Sequence, residues 1–305
     1  MAAAKPIVSS RAPGPAGRVS WTELAIPIGN DRTLQARIYG RRGAGVPTPL
    51  VLHFHGGAFV GGSLDSGVLV AGLLASAGSI VVSLAYPLAP AHPFPQAAEE
   101  GHSALTWLHR NRRRLGGEGA VVLVAGEEAG GNIAAAVCLM ARDRQRPPLA
   151  GQILLSPMLD PCLGTASLRD ARLDLRECPW ADGWSSYLPR LADVCHPYAV
   201  PGICLRLMEM PPSLLITARD DPLRDETLSY ARKLRDAGVA AEHVVVEAPT
   251  GWPAGLMQDP DSDAAWAEPL RQHLRSFMAA RQARSAPATE SRSARSSGRA
   301  TDAGA

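Results

Sequence analysis

The chain lacks most of the features that place a protein at a glance. No Cys-x-x-Cys pair occurs, and its five cysteines (Cys138, Cys162, Cys178, Cys195, Cys204) are odd in number and irregularly spaced. That spacing indicates neither a zinc site nor a disulfide framework and suits the reduced thiols of a cytoplasmic protein. Charge of one sign is not in excess: the net charge is +2, which gives no reason to expect nucleic acid as a partner. Internal repeats are absent. The first twenty residues have no continuous apolar core of the kind a signal peptide needs. Ser66 to Tyr86 carries no charge over a length that could span a bilayer. Small residues interrupt it at Ala75-Ser76-Ala77-Gly78-Ser79, however, and its second half is β-branched. It therefore predicts a helix followed by a buried strand, and no membrane span.

What is present is a regular alternation. The 305 residues are 46% apolar and 20% charged, as in one globular domain. Strand-like runs occur at TELAIPI, LQARIY, LVLHFH, IVVSLAY, AVVLVAG, GQILLSP, SLLITA and HVVVEA. Helix-length segments fall between the later ones, at 68–77, 96–113, 129–142, 226–237 and 263–280. The runs Val121–Ala125 and Ile153–Leu155 are apolar throughout, as parallel strands buried on both faces should be. The expectation is an α/β domain over 21–281, with a mostly parallel eight-stranded sheet flanked by helices. Residues 160–210 break the rhythm with two Trp and five Pro, and predict a small cap insertion of short helices. Residues 1–20 and the Ala/Ser/Arg-rich tail 282–305 are expected to be disordered.

Four motifs carry the chemistry. "VLHFHGGAFVGGS" (Val51–Ser63) follows the third strand, where glycines let backbone N–H groups approach a ligand. "YPLAPAHPFPQAAEE" (Tyr86–Glu100) follows the fourth. "VVLVAGEEAGGNIAAAV" (Val121–Val137) reads as strand, sharp turn, helix, and "PPSLLITARDDPLRDETLSYARKLRDAGV" (Pro211–Val239) as strand seven with its helix. Together they resemble, in order, the hormone-sensitive-lipase type of carboxylesterase in the α/β-hydrolase fold, with its His-Gly-Gly-Gly oxyanion loop and nucleophile elbow. The resemblance implies an oxyanion hole built by the N–H groups of Gly56, Gly57, Ala58 and Ala129. It implies Asp221 as the acid that orients the catalytic histidine.

Two triad positions depart from that pattern. The family's elbow is Gly-Asp-Ser-Ala-Gly-Gly, and here it is Gly126-Glu127-Glu128-Ala129-Gly130-Gly131. The family's histidine follows the eighth strand, where "HVVVEAPTGWPAG" aligns Gly251 with it. A serine hydrolase needs a hydroxyl to attack and an imidazole to carry the proton. The expectation is a degenerate pseudo-hydrolase, without cofactor or metal, that binds a small apolar or ester-like molecule or a partner, and an oligomer is compatible with it. In that reading the Glu128 carboxylate folds into the hole, onto Gly57, Ala58 and Ala129, with Arg219 as its charge partner. The alternative is a cofactor-free isomerase, cyclase or lyase, or a non-standard hydrolase, that uses Glu128 as general acid or base. The two part on one point: a hole filled by the carboxylate favours the binder, and an open apolar pocket favours the enzyme. With no activated serine at the elbow, a fluorophosphonate probe should leave the protein unlabelled by mass spectrometry. Stoichiometric labelling of any serine would contradict the reading.

Overall fold

A computed structural model describes residues 20–29, 31–171, 178–247, 249–258 and 264–284. Among these, eight strands form one sheet: β1 (Trp21–Gly29), β2 (Arg32–Tyr39), β3 (Leu50–Phe54), β4 (Ile80–Leu84), β5 (Val122–Glu127), β6 (Gly151–Leu155), β7 (Ser213–Ala218) and β8 (Ala241–Val246). Their order is β1-β2-β4-β3-β5-β6-β7-β8. β2 pairs antiparallel with both β1 and β4, and the remaining pairings are parallel. The eight-stranded, mostly parallel sheet expected from the alternation is the one found.

Each central strand divides its side chains between two layers. In β3, Leu50, Leu52 and Phe54 enter one core while Val51 enters the other, the period of two that strand geometry imposes. Helices α2 (Gln96–Gly116), α3 (Ala129–Asp143) and α6 (Arg224–Asp236) cover the first face through residues such as Leu105, Ile133 and Tyr230. Helices α1 (Val68–Ser76) and α7 (Ala267–Arg284) cover the second through Leu74, Leu274 and Phe277. β3, β5 and β6 are therefore buried along their whole lengths. The uncharged stretch 66–86 resolves into α1, a Gly78 turn and β4. No helix among the described residues is long and apolar enough to cross a membrane.

Between β6 and β7 lie the short helices α4 (Ala166–Asp170) and α5 (Pro179–Tyr187), then 3-10 turns at Leu191–Cys195 and Pro201–Ile203. Pro179 opens α5, where its fixed φ suits the first helical position. Residues 282–284, expected to open a disordered tail, instead form the last turn of α7, which continues to Arg284. Gln282 explains the extension: its amide accepts from Val121 N (3.2 Å) and donates to Gly119 O (2.8 Å), tying the last turn to the start of β5. The disorder expected for 1–20 and for the tail falls on 1–19 and 285–305, outside the described residues.

Glu226, in the first turn of α6, anchors the chain leaving β6. Its Oε2 accepts from the N–H groups of Leu159 and Asp160, both at 2.7 Å. Burial pushes its carboxyl up to about 8 from an ordinary 4.5, so the folded state keeps a proton the unfolded chain loses. Stability from this group is complete below pH ~4.5 and is lost as pH rises toward about 8. Thermal melts of Glu226→Gln should therefore fall less steeply between pH 5 and 8 than those of the wild type. Parallel curves would show that Glu226 is ionised in the fold.

Candidate functional site

The parallel strands deliver their C-terminal ends to one edge, where crevices form in open α/β sheets. β5 ends at Glu127, and the next residue, Glu128, takes φ +52° and ψ −117° to turn the chain into α3. Positive φ is uncommon outside glycine and marks a position the surroundings hold in place. The turn lies so close to β3 that a Cβ on Gly130 would sit 2.1 Å from Phe54 O. Only glycine fits there.

The loop after β3 brings its amides to the same point. Gly57 adopts φ +130°, a conformation its lack of a side chain allows, and a Cβ there would lie 2.2 Å from Gly61 O. The Glu128 carboxylate occupies the space these amides enclose. Its Oε2 accepts from Gly57 N at 2.5 Å, Ala58 N at 2.8 Å and Ala129 N at 3.4 Å. Its Oε1 accepts from the indole Nε1 of Trp180 at 2.7 Å. Glu128 is only 3% exposed. An ionised carboxylate offers about four lone-pair sites, and four N–H donors point at this one.

Beneath the elbow lies a second buried carboxylate. Glu127 Oε2 meets His53 Nε2 at 2.7 Å, and His53 Nδ1 meets Ser83 Oγ at 2.9 Å. Glu127 Oε1 accepts from Gly56 N at 3.1 Å. That bond corrects one expectation: Gly56 contributes no N–H to the hole, because its amide points inward to Glu127. The neighbouring His55 donates Nδ1–H to Gly56 O (2.7 Å) and stacks on Tyr86 at 4.4 Å, while the Tyr86 hydroxyl donates to His55 O (2.7 Å). Burial lowers the His55 imidazole, which suits this neutral, stacked setting. The loop is thus braced from both sides.

Arg219 requires a second correction. It pairs with Glu247 at 3.0 Å, with both side chains mostly exposed. The backbone donors and Trp180 satisfy Glu128 without a cation, so no force draws the guanidinium inward. Trp180 was not singled out in the sequence, since it sits in the irregular insertion. The one available signal was general: a buried indole N–H seeks an acceptor.

Asp221 is buried between the ends of β6 and β7. Its Oδ2 accepts from the hydroxyls of Ser156 and Thr217, and its Oδ1 from Leu223 N at 2.8 Å. Burial raises its carboxyl above the usual range, against the pull of the Ser156 and Thr217 hydroxyls. Among the described residues it touches no imidazole. The adjacent Asp220, also missed in the sequence, reaches the loop after β8 instead. It accepts from Thr250 N (2.7 Å), Thr250 Oγ1 (2.9 Å) and Gly251 N (3.0 Å). Burial would raise Asp220, but these bonds outweigh it and hold the carboxyl below its ordinary value. Gly251 itself is exposed, with φ +63° and open space around it.

The cap closes the arrangement from above. A Cβ on Gly183 would lie 2.2 Å from Ala58 O, so α5 rests directly on the oxyanion loop. Phe59 of that loop stacks on Tyr187 at 4.0 Å and packs on Trp184 at 4.9 Å. From the other side, Met257 puts its sulfur where a Gly56 Cβ would meet it at 2.7 Å. Among the described residues no group of His, Cys, Asp and Glu has the geometry to hold a metal ion.

A sheet of this order, with a strained elbow after its fifth strand and a glycine loop after its third, defines an α/β hydrolase. A family model for the alpha/beta hydrolase fold matches residues 51–250, and the chain belongs to that family. It is 37% identical over 257 residues to "Carboxylic ester hydrolase LipN" of Mycobacterium tuberculosis, covering 77% of this chain and 67% of that one. It is 34% identical over 203 residues to "Gibberellin receptor GID1A" of Arabidopsis thaliana, covering 62% and 58%. The chain thus spans about three fifths to two thirds of the length of these relatives. Among solved structures, "Bacterial Heroin Esterase" superposes with a TM-score of 0.74 at 31% identity, over 86% of this chain and 85% of that one.

The four-donor cradle makes a quantitative prediction. In Glu128→Gln the amide cannot accept on both sides, so its NH2 must face either the loop amides or the indole N–H. Leaving buried donors unpaired costs about 1–3 kcal/mol, which should appear as a lower Tm. Trp180→Phe removes the indole donor, so adding it to Glu128→Gln should cost less than it does in the wild type. Strict additivity in the double-mutant cycle would show that the Glu128–Trp180 bond is not made in solution.

Proposed function

We propose that this protein is a non-hydrolytic member of the α/β hydrolase family, which binds a small apolar or ester-like molecule at its former ester site. The observation that carries this reading is the Glu128 carboxylate on Gly57 N, Ala58 N and Ala129 N. These amides are the donors a tetrahedral oxyanion would need, and an anion already holds them. A substrate carbonyl arriving there would meet a negative charge in place of N–H groups.

Support comes also from the two remaining triad positions. The resemblance places the family's histidine at Gly251, which has no side chain. Asp221 satisfies its carboxylate with Ser156, Thr217 and Leu223. In a comparable serine-hydrolase triad, losing the members together costs about 10⁶ in turnover. Acid–base chemistry at Glu128 is disfavoured by the same four bonds, which hold the carboxylate against the loop and under Trp180 and leave only one lone pair, on Oε1, unengaged. A binding role is also supported by the similarity to a relative named a gibberellin receptor. Five free cysteines suit a reducing compartment, and we place the protein in the cytoplasm.

The test is steady-state hydrolysis of short p-nitrophenyl esters. The wild type should not exceed a non-enzymatic control protein. Glu128→Ser should stay at the same level, because its hydroxyl would still lack a base. Saturable turnover by the wild type that disappears in Glu128→Gln would overturn the proposal and assign catalysis to the carboxylate.

A further inference from the structure

At the opposite end of the sheet, where β5 and β6 begin, a cavity of about 440 Å³ opens between α2 and α7. It is six strand residues away from the elbow along β5, at roughly 3.3 Å per residue, and its properties do not depend on the reading of the ester site. Its floor is apolar, with Val121, Val122, Leu149 and Pro212. Its rim is basic, with Arg112 from α2 and Arg281 and Arg284 from α7.

Arg281 is the informative residue. It is only 7% exposed, and its Nε is inaccessible and has no hydrogen-bond partner. Among the described residues no carboxylate lies within ion-pairing distance of it. The Phe277 ring lies 4.9 Å beneath its guanidinium and offers a weak cation–π contact. Burial and the neighbouring Arg284 both work against its charge, and Glu242 favours it only from a distance. A guanidinium stays protonated regardless. Buried charges in folded proteins are normally paired, and among the described residues this one is not.

A second unpartnered group lines the same cavity: His109 Nδ1 is buried without a hydrogen bond. Burial and the adjacent Arg112 lower its imidazole, which favours the neutral ring; because Nδ1 is enclosed, a ligand in the cavity meets the ring through Nε2. Arg112 is held in place by its own bond from Nη1 to His109 O at 3.0 Å. The Gln282 bonds to Gly119 and Val121 fix α7 against β5, so the cavity walls are preformed. Cationic donors at one end and aliphatic walls at the other are the requirements for an amphiphilic anion. A plain inorganic anion would leave the apolar floor unused.

We propose that this cavity is a binding site for a monoanionic amphiphile, a carboxylate on an apolar body, with Arg281, Arg112 and His109 as donors to the carboxylate. The experiment is isothermal titration calorimetry on the full chain with sodium octanoate, octanol and inorganic phosphate. Octanoate should bind saturably at one site, with octanol and phosphate at least tenfold weaker. Arg281→Met and Arg112→Gln should each weaken octanoate roughly tenfold or more, as expected for loss of a charge-assisted bond. Arg112 is half-buried, and a Tm measurement on each variant confirms that it is folded. Octanol as tight as octanoate would exclude charge recognition, and phosphate as tight would reduce the site to a simple anion hole. Octanoate binding unchanged in both variants, or no saturable binding at all, would likewise overturn the proposal.

Discussion

The site depends on one contact, the Glu128 carboxylate on the amides of Gly57 and Ala58. Those amides converge because the loop after β3 takes three successive left-handed residues, Gly57, Ala58 and Phe59. Such a run costs backbone energy, and the bonds to Glu128 help to offset it. A buried anion accepts from the loop, from its own helix N-terminus at Ala129, and from Trp180. The helix dipole adds to the attraction, since negative charge is favoured at that end. In the proposed function, the same bonds that stabilise the loop keep it from serving as an oxyanion hole.

That contact also organises the cap. Trp180 belongs to α5, and its indole reaches down to Glu128 while Trp184 and Tyr187 of the same helix pack on Phe59. Helical spacing of four between Trp180 and Trp184 puts both on one face. The insertion is therefore attached to the core through the elbow itself. A serine at position 128 could not span the distance to the indole and the loop amides together. The glutamate is thus integrated into the packing and does not simply occupy a vacant position.

Much of the fold could be read from the sequence, because its signals are local. Continuous apolar runs at Val121–Ala125 and Ile153–Leu155 mark strands buried on both faces, and the glycines after β3 and β5 mark close backbone approaches. The filled hole was readable for the same reason, since elbow and loop are fixed by motif. Arg219 was misjudged because a side chain at a strand end has two directions available, and the nearby Glu247 offered a solvent-exposed partner. Gly56 was misjudged because neighbouring amides in a turning loop point different ways, and only the buried Glu127 shows which. Trp180, Asp220 and the Arg281 cavity depend on contacts between segments far apart in sequence. Periodicity carries no information about those.

The central claim is that the loop amides donate to Glu128 in the resting protein. The most direct measurement is NMR of deuterated, ¹³C/¹⁵N-labelled protein, read for scalar coupling through the hydrogen bonds from Gly57 and Ala58 nitrogen to the Glu128 carboxyl carbon. The account predicts a resolved coupling for both amides, with slow exchange of both protons against solvent. Rapid exchange of the Gly57 and Ala58 protons with no coupling to Glu128 would mean an open, hydrated hole, and would contradict it.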